Sequence, residues 1–350
     1  MSGTDWWKRA NTAERNAAVQ LFALRLSTAA TVDPSRAASS HHVARAAYRL
    51  AESLDDTGAA FQPFPAGAHL RLAWKAFLKH LSPTDIDTIH TISRLTSATA
   101  PYQAQIRKLS PVLTRLHHDA VAHGTINEPR CFRISLKGRE VALTPSRPGS
   151  PELLRDALLR DRVSDVPGIQ HILGVSLPDG VLISEPTDGQ VLDAMALSEL
   201  DRLSTAAAHE NLVITITKLA ERGCSIPTGA RDVLVSDSGF MFISLDGNTP
   251  GATLPEQLLT MYRHLRNPYD RMLSPYSPAL LRRDAASQWN RVASTFLAAV
   301  HSVCGAHMQE SITSVLARTH ELPPTLLQQP REHTFTTLGR SVPLHGASLS

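Results

Sequence analysis

Asp232-Val-Leu-Val-Ser-Asp-Ser-Gly-Phe-Met-Phe-Ile-Ser244 is the stretch of this 350-residue chain that is most informative about its fold. Two apolar runs flank the turn residues Asp237-Ser-Gly239, and this pattern predicts a β-hairpin. A second hairpin is predicted upstream, where Cys131 to Leu136 and Glu140 to Thr144 flank a turn that contains Gly138. The sequence therefore predicts antiparallel sheet in the central part of the chain.

Helices are predicted before, between and after these hairpins. Ser82-Pro-Thr-Asp85 combines a cap residue, a proline in the first turn and an acid three residues after the cap, so it predicts a helix start. Further helices are predicted over Pro151 to Val163, Ser198 to Arg222 and most of Pro255 to Leu322. A short buried strand is predicted at Val181 to Ser184.

The order of these elements predicts an α+β fold in three parts. We expect a helical N-terminal region at 1–124, a mixed domain at 125–322 and a flexible C-terminal tail at 323–350. The alternative is an all-helical adaptor that carries one small sheet. The positions of the strands at 130–145 and 232–244 distinguish the two.

Composition excludes several classes of protein. Hydrophobic residues make up 42% of the chain, but no run approaches the roughly 18 apolar residues that a membrane span requires. A net charge of +3 is too small to indicate a nucleic-acid partner. The first residues carry charges where a signal peptide has its apolar run, so we expect a cytoplasmic protein, with non-Sec delivery into a host cell left open.

Seven segments in the second part of the chain carry a resemblance. They are Gly138–Thr144, Leu153–Leu159, Val166–Val175, Val181–Leu192, Leu219–Gly223, Asp232–Ser244 and Thr253–Leu258. In this order they resemble a protein kinase domain over about 129–322. The first four resemble the strand of the VAIK lysine, the helix of its partner glutamate, the turn and strand that follow, and the hinge. The last three resemble the end of the helix before the catalytic loop, the hairpin after that loop and the APE segment. The resemblance implies a two-lobed fold and a nucleotide site at the hinge.

The residues that would carry kinase chemistry do not match. The position of the lysine that binds phosphate holds Thr144, a neutral hydroxyl, and the nearby Lys137 and Arg139 are expected to be solvated turn residues. Asp156 is the best counterpart of the partner glutamate and Glu152 is the alternative. Without an opposing lysine, we expect either acid to face solvent.

The catalytic loop also departs from the kinase pattern. Counting back from Asp232, at the metal-binding asparagine position, places the HRD motif on Ser225-Ile-Pro227, with the base at Pro227. Counting forward from Gly223 places the base at Thr228 instead. Neither residue accepts a proton near neutral pH, so the resemblance supplies no general base.

Two acidic residues form the one acidic pair that the sequence offers for a metal site. The DFG aspartate position falls on Leu245. A shift of one residue in the alignment would place Asp246 there instead, opposite Asp232. A carboxylate pair of this kind can hold Mg²⁺ and the phosphates of ATP, and Glu185 begins the hinge where adenine would bind. Pro186 removes one amide donor from that hinge.

The sequence thus predicts a pseudokinase, a binding or regulatory protein that uses a kinase-like scaffold to contact a protein partner. The alternative is a divergent phosphotransferase, or another ATP-using transferase, that depends on Asp232 and Asp246. We expect no cofactor under the first interpretation, and ATP with magnesium under the second.

Overall fold

The computed structural model describes residues 3–32, 68–123, 131–146, 150–195, 197–245 and 252–327. It has helices first, then a small antiparallel sheet, then a largely helical body with a second small sheet. The α+β class predicted from the sequence is confirmed. No helix in these ranges is long and apolar enough to cross a membrane.

Five helices precede the first sheet in the described ranges. They are α1 (Gly3–Arg9), α2 (Thr12–Val32), α3 (Ala68–Lys79), α4 (Pro83–Ser97) and α5 (Gln103–His123). Helix α4 begins as predicted, because Ser82 Oγ accepts a hydrogen bond from the Asp85 amide and the Asp85 carboxylate accepts one from the Ser82 amide.

The first sheet contains the three strands predicted at 131–136, 140–144 and 181–184, together with a fourth strand. Its strands are β1 (Phe132–Leu136), β2 (Arg139–Pro145), β3 (Ile172–Ser176) and β4 (Val181–Ser184), and their order is β1-β2-β4-β3 with every pair antiparallel. Lys137 and Gly138 both have positive φ, as a two-residue hairpin turn requires. Helix α6 (Pro151–Arg162) packs against β3 and β4.

Helices of the N-terminal region cover both faces of this sheet. On one face, Ile106 and Leu113 of α5 pack against Val141 and Leu143 of β2. On the other face, α6 shares a core with α2, α4 and the strand residues Val175 and Leu182. The sheet is therefore the middle layer of a helix–sheet–helix arrangement.

The helical body follows β4, the last strand of the first sheet along the chain. Its elements are β5 (Gln190–Val191), α7 (Ala206–Glu221), β6 (Val233–Ser236), β7 (Gly239–Phe242), α8 (Leu254–Asp270), α9 (Ala279–Cys304), α10 (Ala306–Arg318) and α11 (Pro324–Leu327). Strands β5, β6 and β7 form the second sheet in that order. The single helix predicted over Ser198 to Arg222 was wrong at its start, because Thr205 is extended and separates a 3₁₀ helix, Leu197–Ser204, from α7.

Backbone hydrogen bonds join the segment before β3 to β7. The Phe242 amide donates to the Gly168 carbonyl at 2.8 Å, and the Gln170 amide donates to the Phe242 carbonyl at 3.1 Å. Gly168 has a φ of +77°, and a Cβ there would lie 3.0 Å from Thr215 Oγ1 and 3.2 Å from the Phe240 carbonyl oxygen. Only glycine fits this close approach without strain.

Candidate functional site

The candidate site lies where the first sheet, α6 and the residues after β7 meet. Thr144 of β2 pairs with Leu182 of β4, so both face the layer that contains α6. The hydroxyls of Thr144 and Ser184 are buried and have no hydrogen-bond partner among the described residues. Thr144, which the resemblance aligns with the kinase lysine, is thus a neutral group that cannot balance phosphate charge.

Arg160 of α6 supplies a buried positive charge at this junction. Its side chain is 0% exposed. Its Nη1 donates to the Ile243 carbonyl at 2.7 Å, and its Nη2 donates to the carbonyl and the side-chain oxygen of Gln170 at 2.9 and 3.0 Å. Its Nε also donates to the Gln170 carbonyl, at 3.2 Å. The guanidinium is therefore saturated by oxygens of the protein itself.

Asp156, one turn earlier on α6, completes this arrangement. Its Oδ2 lies 3.4 Å from Arg160 Nη1, and its Oδ1 accepts a 2.8 Å hydrogen bond from the Leu245 amide. The expectation that Asp156 faces solvent was wrong, because this pairing and this backbone contact draw it inward. Glu152, the other candidate, is exposed as expected and accepts a hydrogen bond from Ser150.

Burial controls the electrostatics of Asp156. Desolvation raises the pKa of this carboxyl above its usual value, and the charge of Asp232 adds to the rise. The Arg160 charge and the Leu245 amide act in the opposite direction because they stabilise the carboxylate. Asp232 therefore lies close enough to Asp156 to influence its ionisation.

Asp232 is 8% exposed and ends a 3₁₀ helix, Ala230–Asp232, immediately before β6. Its amide donates to the Gly229 carbonyl at 3.1 Å, and its carbonyl accepts from the Ile243 amide at 2.9 Å. Leu245, which the resemblance aligns with the DFG aspartate, is buried. Asp246 lies outside the described residues, so the acidic pair predicted from the sequence stays a prediction.

Helix α8 makes hydrogen bonds with residues 224–227, the segment that the resemblance aligns with the catalytic loop. Gln257 accepts a hydrogen bond from the Ile226 amide at 3.1 Å and donates one to the Cys224 carbonyl at 3.0 Å. His264 Nε2 lies 2.9 Å from the carbonyl oxygen of Pro227, which is buried. Burial lowers the pKa of His264, so this imidazole is neutral near pH 7.

Backbone groups of Glu185, where the resemblance places the start of the hinge, already have partners in the chain. The Glu185 amide donates to the His171 carbonyl at 3.0 Å, and the Glu185 carbonyl accepts from Gln170 Nε2 at 2.9 Å. Pro186 has no amide hydrogen to offer. The Glu185 side chain is exposed and takes part in no ion pair among the described residues.

Sequence reasoning missed the residues that hold this junction together: Arg160, Gln170, Gln257 and His264. Helical spacing in the sequence was a signal for two of these residues, Arg160 and His264. Arg160 follows Leu153 and Ala157 at helical spacing, so it lies on the buried face of α6. His264 likewise follows Gln257 and Met261 on the buried face of α8.

No group of three or more His, Cys, Asp or Glu residues in the described ranges is arranged to hold a metal ion.

In comparisons with known proteins, no family model matches the chain and none of the curated proteins matches it.

Proposed function

We propose that the protein is a pseudokinase-type binding or regulatory protein, with a kinase-like scaffold that contacts a protein partner and transfers no phosphoryl group. The order of elements supports the kinase-like part of this proposal. Strands β1, β2 and β4 share one sheet, α6 packs against it, and the segment Glu185 to Gly189 leads from that sheet to the helical body.

One observation carries the proposal: the hydrogen-bonding groups of Asp156 and Arg160 already have partners within the chain. Phosphoryl transfer requires a cation that binds the phosphates and a carboxylate near the substrate hydroxyl. All five N–H donors of a guanidinium are fixed in direction, and those of Arg160 are directed at Gln170, Ile243 and Asp156. Binding a phosphate there would leave buried carbonyl groups unpaired.

One further feature argues against phosphoryl transfer, and another argues against ATP as a ligand. The base position holds Pro227 or Thr228, neither of which accepts a proton near neutral pH. At the hinge, the carbonyl and amide of Glu185 already have partners in the chain. An adenine would have to displace them. The residues present therefore do not fit a nucleotide with magnesium, and the ligand that we propose is a protein.

The test is a thermal-shift measurement with ATP and either Mg²⁺ or Mn²⁺ at millimolar concentration. A ligand present at 100 times its Kd stabilises the folded state by about 2.7 kcal/mol, which raises Tm by several degrees. We expect no shift beyond that of each metal salt alone. A nucleotide-dependent rise in Tm would support the divergent transferase built on Asp232 and Asp246 instead.

A further inference from the structure

The two edges of the first sheet differ in what packs against them. Its strand order, β1-β2-β4-β3, makes β1 and β3 the edge strands. Helices α4 and α6 both pack against β3. In the described ranges, β1 packs extensively only against β2. The outer edge of β1 is the side of the strand that faces away from β2, and an edge of this kind is a template for a further strand.

Hairpin geometry identifies the backbone groups that face this outer edge. Leu136 and Arg139 flank the two-residue turn, so they form a hydrogen-bonded pair of the ladder. Hydrogen-bonded and non-hydrogen-bonded pairs alternate along antiparallel strands, so the N–H and C=O groups of Arg133 and Ser135 point away from β2. Both residues are exposed, and their backbone groups form no other hydrogen bond among the described residues. Their donors and acceptors are therefore available to an added strand.

Apolar surface lies beside this edge on the face that α5 covers. Phe132 and Ile134 pack against the core under α5 but are only half-buried, whereas Leu136 is buried. Every second residue of an added strand would lie on the same face, beside Phe132 and Ile134. Because burial of apolar surface is favourable, the edge favours a segment with apolar residues at alternate positions.

Basic side chains surround the end of β1 at the turn. Lys137 of the turn, Arg139 of β2 and Lys108 of α5 are exposed, and none of them forms an ion pair within the part of the chain that the structure describes. The Lys137 amide donates to Gln105 Oε1 at 3.2 Å, and Lys108 follows Gln105 by one helical turn, so these cations lie at the same end of the sheet. Positive charge there favours carboxylates in the segment that binds.

Charge also distinguishes a partner from a second copy of this chain. The β1 strand with its flanking residues reads Cys-Phe-Arg-Ile-Ser-Leu-Lys over 131–137 and contains no carboxylate. A second β1 strand would therefore leave the cations at the turn unpaired. On the other face of β1, Arg133 is already balanced by Asp188 and by Glu140, whose carboxylate lies 3.8 Å away. The unbalanced charge is thus confined to the turn end.

We propose that the outer edge of β1 binds an extended segment of a protein partner, which adds to the first sheet as a fifth, antiparallel strand. Every pair of strands in that sheet is antiparallel. This orientation places the N-terminal end of the segment beside Lys137, so acidic residues belong there and alternating apolar residues follow. The proposal rests on the proposed function, since it names the surface by which the scaffold contacts its partner.

The test uses the peptide acetyl-DEVTVSV with a fluorescein amide at its C-terminus, and fluorescence anisotropy measures its Kd. In the proposed register its threonine lies opposite Ser135 and the following valine lies opposite Ile134. N-methylation of the threonine removes an N–H that donates to β1 and should weaken binding about tenfold. N-methylation of that valine removes an N–H that points away from β1 and should leave the Kd unchanged. Hydrogen exchange should slow in 132–136 and stay the same in 172–176 of β3.

Three variants of the chain complete the test. Ser135→Pro removes the outward amide at a position where an edge strand tolerates proline, and it should weaken the peptide about tenfold. Lys137→Asn removes a charge but keeps a residue that suits the positive φ of this turn, and it should weaken the peptide about threefold. Lys218→Gln, at an exposed position of α7 outside the first sheet, should leave the Kd unchanged.

Equal binding of the two methylated peptides, unchanged exchange in 132–136, or an unchanged Kd in Lys137→Asn would overturn the proposal. A dimer of the chain that Ser135→Pro dissociates in sedimentation would also overturn it, because a second copy would then occupy the edge. The methylated peptides are measured on the unaltered chain, so their comparison is decisive even if Ser135→Pro fails to fold. None of these outcomes depends on nucleotide binding, which the thermal-shift experiment measures separately and which alone would overturn the pseudokinase assignment.

Discussion

Asp156 Oδ1 accepts a 2.8 Å hydrogen bond from the Leu245 amide, and this contact ties helix α6 to the chain that follows β7. Its neighbour Arg160 makes the parallel contact with the Ile243 carbonyl at 2.7 Å. Together, the two side chains connect the layer of the first sheet to the helical body. We propose that this junction is structural, in the place where the kinase resemblance predicts catalytic groups.

Replacement of Arg160 with Met should strongly destabilise the protein. The change leaves the largely buried Asp156 carboxyl without its cationic partner, and it leaves the carbonyls of Gln170 and Ile243 without their donors. Loss of one partner of a buried pair typically lowers the free energy of unfolding by about 3–5 kcal/mol. Urea unfolding at pH 7 measures the effect.

Arg94→Met is the matched control, because Arg94 pairs with Asp161 at the surface and its side chain is 60% exposed. Such a pair contributes at most about 1 kcal/mol. If Arg160→Met and Arg94→Met lower the free energy of unfolding equally, Arg160 does not hold the two layers together.

Replacement of Gly168 with Ala should destabilise the fold by about 2–4 kcal/mol. The residue has a positive φ, and its new Cβ would press on Thr215 Oγ1 and the Phe240 carbonyl. Gly138→Ala is the control, because Gly138 has a φ of +81° but nothing within 4 Å of a Cβ. It should lower the free energy of unfolding by only about 1 kcal/mol, from backbone strain alone. Equal losses in the two variants would show that the close approach at Gly168 is unimportant.

His209 should make stability depend on pH. This residue of α7 is 0% exposed and packs against the rings of Phe240 and Phe296. Burial lowers its pKa from 6.5 to about 4. In the unfolded chain the imidazole therefore binds a proton at a higher pH than in the folded chain. Its contribution to stability is complete above about pH 6.5 and is lost as pH falls toward 4, by about 3 kcal/mol.

The variant His209→Leu removes this titration, because it replaces the imidazole with an apolar side chain of similar size. The free energy of unfolding of the wild type should fall more steeply between pH 6.5 and 4 than that of the variant. Other groups, including His264 and Asp156, titrate in both proteins, so only the difference between the two curves reports on His209. Parallel curves would contradict the assignment of a buried neutral imidazole.

Local signals in the sequence predicted much of the fold. The capping residues Ser82 and Asp85 predicted the start of α4, and Gly138 predicted the β1–β2 turn, because each acts within a few residues of itself. The break at Thr205 was missed, since the apolar spacing on either side continues through it and only tertiary packing of the 3₁₀ segment sets the boundary.

The junction was less predictable for a physical reason. Helical spacing places Arg160 on the buried face of α6, but it does not show that this side chain contacts the carbonyls of Gln170 and Ile243. Those partners lie 10 and 83 residues away, so no local pattern identifies them. The same applies to Asp156, whose partner amide at Leu245 is set by the fold.

The most direct test of the pseudokinase proposal is a turnover measurement with radiolabelled ATP. The purified full chain is incubated with ATP, Mg²⁺ or Mn²⁺ and a generic protein substrate, beside the variants Asp232→Asn and Asp246→Asn. We predict that the wild type and both variants release and transfer phosphate at the rate of the buffer control. Turnover above that control in the wild type, abolished by Asp246→Asn as loss of a metal ligand would do, would contradict the proposal.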